Sequence, residues 1–279
     1  MVNRDEAVEY ALKEARDNDV KFIRLWFADI LGNLKGFAIT VEELESTLTR
    51  GMGFDGSAIE GFARDEEIDL YALPDPNTFS ILPWRPRENA VARMFCDIIT
   101  PDEEPFERDS RYVLRRNIER AANLGYTYYV GPELEYFYFK NSESPELLDQ
   151  GGYFDQDATD TSTDLRRETV LMLENMGIPV EQSHHEVSPS QHEIDLRHTD
   201  AMTMADTVMT YRVAVKEVAQ RHGCVATFMP KPITELNGSG MHTHQSLFKG
   251  GRNSFYDAED PNRLSDNARY FIAGLLNHA

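Results

Sequence analysis

The segment that most restricts what this chain can fold into is YTYYVGPELEYFYFK, residues 126–140. A run so rich in Tyr and Phe reads as a β-strand within a sheet. Yet Glu133 and Glu135 stand two apart in it, so on one strand both side chains share a face. Tyr136, Phe137, Tyr138 and Phe139 follow at once. Carboxylates on a covered sheet face carry a large desolvation cost unless they are paired or hold a cation. The alternative is a half-exposed strand with both glutamates on its wet side.

Two further segments bear on that choice. In SHHEVSPSQHEIDL, Glu186 and Glu193 lie on either side of the turn Ser188-Pro189-Ser190, and a hairpin brings them within a few ångströms of each other. Asp195 shares the parity of Glu193. The bland alternative is polar decoration of a hairpin. His184, His185 and His192 raise the thought of zinc, but the run is not HExxH and carboxylates predominate, which favours Mg²⁺ or Mn²⁺. In NGSGMHTHQS, a glycine loop runs into a strand on which His242, His244 and Ser246 alternate on one face. A lone histidine is most often structural; a pair at i, i+2 after a glycine loop is less easily dismissed. The chain has neither GxGxxG nor GxxxxGK[ST], so a nucleotide site here is neither Rossmann nor P-loop. Together the three segments outline a two-metal site suited to phosphoryl transfer.

The rest of the chain supplies a scaffold of ordinary size. Its 279 residues suit two domains or one large one. Helices are expected over 4–17, from a capping box at 40–43 to Gly51, from Asp109 or Ser110 to 124, over 163–176, over 204–222 and from Ser265 onward. Strands are expected over 21–29, 34–40, 90–98 and 126–140, in the two runs flanking the turn at 188–190, at VATFMPKP, and at MHTHQSLF. Prolines crowd residues 71–105, and a boundary near 103 divides a domain 1–103 from a domain 104–279. The last helix stops without a glycine cap, which suggests a chain cut short at its C-terminus.

Asp plus Glu number 48 against 28 Lys plus Arg, a formal net charge of −20. Such a surface repels phosphate backbones, so neither nucleic acid nor an anionic membrane is expected as partner. Lys is scarce relative to Arg, and this acid-rich balance suits a salt-loaded cytoplasm in which self-repulsion is screened. Two cysteines without CxxC fit a reducing cytosol, and neither a secretory h-region nor a long apolar run is present, so a cytoplasmic location is expected.

GFDGSAIEGF, GPELEYF, GGYFD, SHHEVSPSQHEIDLR, ATFMPKP and NGSGMHTHQS, in this order and spacing, resemble type I glutamine synthetase over essentially the whole chain. The resemblance implies an α+β fold: a small N-terminal β-grasp-like domain, then a larger catalytic domain of antiparallel strands flanked by helices. It implies synthesis of glutamine from glutamate, ammonium and ATP through γ-glutamyl phosphate. By that resemblance Glu135, Glu186 and Glu193 hold a first divalent metal (Mg²⁺ or Mn²⁺), and Glu133 and His242 a second. Asn237 and Gly238 match a glutamate-binding loop; Glu181, His244 and Ser246 match positions that contact ATP. Asp55 matches an aspartate that deprotonates ammonium, lent by a neighbouring subunit of a dodecamer, and Tyr153 matches an ammonium-pocket tyrosine. Arg64 resembles a feedback arginine, or is a plain surface residue. Family members run well past this length, and the missing part holds the arginines, a third ligand of the second metal and a flap glutamate. Residues 1–279 alone are therefore expected to be inactive. The alternatives are a γ-glutamyl ligase for another amine, against which Asp55 and Tyr153 argue, and a non-catalytic relative, against which the retained metal ligands argue.

Overall fold

The computed structural model describes residues 3–60, 68–156 and 160–279. The chain divides into two compact units, each assembled from separate stretches. One takes Met1–Arg115, Arg167–Ile178 and Met209–His222; the other takes Arg116–Arg166, Pro179–Val208 and Gly223–Ala279.

The first unit opens with helix α1, Arg4–Asp17, which buries Ala7, Ala11 and Ala15 and is capped by the Asn3 side chain. The strands are β1 Val20–Ala28, β2 Leu34–Thr40, β3 Met52–Asp55, β4 Asp69–Pro74, β5 Ser80–Ile81 and β6 Ala90–Ile99. They form a sheet in the order β2-β1-β6-β4-β3, with β5 also on β6. The β1–β6 pair is parallel, with Ile23 opposite Ala92 and Leu25 opposite Met94. Helices α2 (Leu44–Arg50) and α3 (Ser57–Glu60) complete this part, and Leu44 and Leu48 enter the same core as Ile23, Leu25, Leu70 and Met94. The capping box expected at Thr40 does not form. Residues Val41–Glu43 make a 3₁₀ turn, and the Thr40 side chain caps nothing. Within that turn the Leu44 amide donates to the Val41 carbonyl instead.

The second unit is built around β7, Thr127–Phe139. With β8 Val180–His185, β9 Gln191–Leu196, β10 Thr199–Asp200, β11 Val225–Thr227, β12 Met241–Lys249 and β13 Arg252–Asn253, it forms an antiparallel sheet in the order β13-β12-β7-β9-β8, with β10 and β11 also pairing to β7. The expected strand at VATFMPKP shortens to Val225–Thr227 because the next residues leave the ladder for the glycine loop. The remaining helices are α4 Ser110–Asn123, α5 Thr163–Asn175, α6 Ala201–Arg221 and α7 Asp266–His278. Asp109 accepts from the Arg111 amide at the start of α4, and Ser265 from the Ala268 amide at the start of α7. Leu134, Tyr136, Tyr138 and Ile194 are buried on the core side of the sheet. Cys96 and Cys224 are free, buried thiols. No helix among the described residues is long and apolar enough to cross a membrane.

Candidate metal centre

Register places the polar groups. Glu133 on β7 stands directly opposite His242 on β12 and Asp195 on β9. One pleat along, Glu135 stands opposite Glu193, which in turn stands opposite His184 on β8. Directly opposed residues project from the same face, so two cross-strand rows form: His242, Glu133, Asp195, and then Glu135, Glu193, His184. Glu186, just past β8, completes the second row. Its amide is held by the Gln191 carbonyl at 2.8 Å, and its carboxylate contacts that of Glu193.

The glycine loop presses against these rows. The Gln191 side chain donates to Glu135 Oε2 at 2.6 Å and to the Gly238 carbonyl at 2.9 Å. The Asn237 amide donates to Ser188 Oγ at 2.9 Å. Gly240 is a glycine because a Cβ there would lie 2.9 Å from Glu135 Oε1. Glu133 Oε1 accepts from His244 Nε2 at 2.7 Å, and Glu133 Oε2 lies 3.4 Å from His242 Nδ1. His244, matched by resemblance to a nucleotide contact, is thus the tighter partner of Glu133 here.

Too many carboxylates share this space for the cations present. Glu193 is pushed up to about 9, chiefly by burial and then by the facing Asp195 and Glu186. Glu193 Oε1 and Asp195 Oδ1 are buried without a hydrogen-bond partner among the described residues. His184 Nε2 lies 3.6 Å from Glu193 Oε2 and 3.9 Å from Asp195 Oδ2. Buried acceptors that nothing donates to are what a hard divalent cation satisfies, so the residues fit such an ion.

The three histidines do not act together, which removes the zinc thought. His184 faces the carboxylates, whereas His185 and His192 are fully buried on the opposite face. There they join a second group that sequence reasoning missed. Asp149 accepts from His185 Nε2 at 2.8 Å, His192 Nε2 at 3.1 Å, Ser162 Oγ at 2.6 Å and the Ser190 amide at 2.8 Å. Arg166 donates to Asp160 and, at 2.8 Å, to His192 Nδ1. This network is already closed: Arg166 occupies the position a cation would take. Its one legible signal was that His185 and His192 lie close on either side of the turn, where a hairpin makes them cross-strand partners.

The other expected residues fall as follows. Tyr153 is 55% exposed, with its ring edge-on to His184. Ser246 lies on β12 opposite Tyr129. Glu181 is exposed at a bulge, where the β8–β9 register slips between Val180 and Gln182. Asp55 ends β3 in the first unit, exposed, its Oδ1 accepting from the Ser57 amide. Arg64 lies outside the described residues.

Fold and site together define a class: an α+β protein whose central antiparallel sheet carries a carboxylate–imidazole cluster fit for divalent cations. The family model for the glutamine synthetase β-Grasp domain matches residues 19–101, and that for the glutamine synthetase catalytic domain matches residues 107–279. The chain belongs to the glutamine synthetase family. It is 52% identical to the glutamine synthetase of Mycolicibacterium smegmatis over 99% of its own length and 63% of that protein's. Among solved structures it is similar to the cryo-EM glutamine synthetase of Plasmodium falciparum (TM-score 0.88, 27% identity, all of this chain and 60% of that one) and to a GmaS/ADP complex (TM-score 0.86, 30% identity, 96% of this chain and 62% of that one). The chain thus spans less than two thirds of the length of these relatives.

Proposed function

We propose that the protein joins ammonia to the γ-carboxylate of glutamate at the expense of ATP. The glutamate γ-carboxylate oxygen attacks the terminal phosphorus of ATP and ADP leaves; ammonia then attacks the acyl carbon and phosphate leaves. The observation that carries this reading is the pair of cross-strand rows with buried, unpartnered carboxylate oxygens on Glu193 and Asp195. Glu135, Glu186 and Glu193 would hold one divalent cation, Glu133 and His242 a second, with Mg²⁺ and Mn²⁺ both suited to an oxygen-rich set. When bound, the cations supply charge neutralisation for the transferring phosphoryl group. The strongly acidic surface makes them the more necessary for holding a polyphosphate.

The remaining roles rest on the family match. Asn237 and Gly238 border the glutamate site, on a loop that Ser188 and Gln191 hold in place. Glu181, His244 and Ser246 serve the nucleotide, and the likeness to a protein solved with ADP supports a nucleotide site. Tyr153 lines the ammonium pocket. Asp55, an exposed carboxylate at a strand end, takes the proton that leaves ammonium. We place Asp55 in the site of a neighbouring subunit of a cytoplasmic homo-oligomer, a dodecamer by family likeness, and take the two domains as 1–103 and 104–279.

Glu135→Gln in the full-length protein is the test. It keeps shape and the Gln191 contact but removes a ligand charge, so ligase turnover should drop about a hundredfold or more while assembly is retained. Normal turnover would take Glu135 out of the site.

A further inference from the structure

Asp195 is absent from the ligand sets given above, yet its surroundings are those of a ligand. It lies on β9 two residues from Glu193, with its side chain on the same face. Across β7 it is directly opposite Glu133. Like charges directly opposite each other on antiparallel strands destabilise a sheet, and here the arrangement repeats in the next row with Glu135 and Glu193. Asp195 is nine-tenths buried, and its Oδ1 has no hydrogen-bond partner among the described residues. His184 Nε2 is 3.9 Å from Oδ2, too far for a hydrogen bond. One ligand atom each from His184, Glu193 and Asp195 falls within 4.8 Å of the others, the spread of atoms around one ion.

A structural aspartate in a buried sheet finds donors, as Asp149 does in the same unit with five of them. Asp195 Oδ1 has found none among the described residues, Glu193 Oε1 beside it is equally bare, and the side-chain contact Asp195 does make is with another acid, Glu193. Two bare carboxylate oxygens side by side are a place for a cation: a shared proton neutralises one carboxylate, whereas a dication satisfies both. We propose that Asp195 is a further protein ligand of the divalent-metal centre, binding the cation that Glu193 binds. This rests on the metal reading above and adds one carboxylate to it. That extra negative charge makes the site tighter for a dication and more demanding of one.

The test compares Asp195→Asn and Glu135→Gln in the full-length protein by Mn²⁺ titration, following the free-Mn²⁺ electron paramagnetic resonance signal, together with melting of each metal-free protein. Asp195→Asn should weaken Mn²⁺ binding by about tenfold to a hundredfold. It should also raise the melting temperature of the metal-free protein, because one of three crowded carboxylates loses its charge; Asp195→Glu should bind Mn²⁺ more tightly than Asp195→Asn. Unchanged Mn²⁺ affinity in Asp195→Asn, with weakened binding in Glu135→Gln, overturns the proposal and leaves the metal reading standing. Unchanged affinity in both removes the metal reading as well. A folding failure or a lower metal-free melting temperature in Asp195→Asn shows a structural role and also overturns it.

Discussion

At the scale of single residues, the hydrogen-bond partners fix protonation states. His185 directs Nδ1 at the Glu186 carbonyl and Nε2 at Asp149, both acceptors, so both nitrogens donate and the ring is an imidazolium. His192 receives a hydrogen bond from Arg166 on Nδ1 and donates to Asp149 from Nε2, so it is neutral. The titration behaviour agrees: burial lowers His192 to about 4, while Asp149 overcomes burial to raise His185. Burial alone would raise Asp149, but its histidine and serine donors hold it far below the usual carboxylate range. The buried charges then balance, Asp149 and Asp160 against Arg166 and His185. Removing one member leaves an uncompensated charge, so Asp149→Asn should cost about 3–5 kcal/mol of unfolding free energy in urea titration. The pH signs oppose each other. His192, with its folded value depressed, adds stability as pH rises from about 4 to its ordinary 6.5. His185, with its folded value raised, contributes fully below 6.5 and loses that contribution as pH rises through its folded value.

At the scale of elements, alternation made the site legible and cross-strand register completed it. The parity of Glu133 with Glu135 and of Glu193 with Asp195 is a property of any strand, so those faces were readable before any fold was known. The hairpin that brings Glu186 to Glu193 was readable from its turn residues. Which strands lie side by side was not readable, because pairing β7 between β9 and β12 joins residues about 60 positions apart on one side and about 110 on the other. For that reason His185 and His192 looked like companions of His184, and Asp149, far upstream, looked like loop. In the first unit, β3 hid inside the glycine-rich stretch 51–67, whose local pattern argues against regular structure, and β4 hid where the proline-dense segment begins. Glycine carries the tightest element-level constraint on the site. Gly240→Ala would place a methyl 2.9 Å from Glu135 Oε1, and backbone fixed by the Glu135 amide bond to the Gly240 carbonyl leaves the carboxylate to move. The expected outcome is weaker Mn²⁺ binding with a stability loss of about 1–3 kcal/mol, read by titration and urea unfolding.

At the scale of the whole molecule, the chain carries a formal net charge of −20, and its metal centre gathers part of that charge in one buried place. The two kinds of negative charge respond to different ions. Surface acids repel across solvent, and simple salt weakens them as the Debye length falls from about 8 Å at physiological strength to about 3 Å at 1 M. The buried carboxylates are reached by little of that screening. Glu193 has its folded value raised from 4.5 to about 9. Between those values the folded state binds the extra proton, so stability of the metal-free protein falls as pH rises through that window. A divalent cation replaces the proton and removes the slope. Melting temperatures of the metal-free protein, measured from pH 5 to pH 9 in dilute buffer, in about 1 M NaCl and in millimolar Mn²⁺, separate the two effects. NaCl should lift the whole curve and leave its decline with pH in place, because it acts on the surface charges. Mn²⁺ should flatten the decline, because it acts on Glu193 and its neighbours. A decline that NaCl abolishes as fully as Mn²⁺ would place the responsible carboxylates at the surface, against the burial of Glu193 and Asp195 on which the metal centre depends.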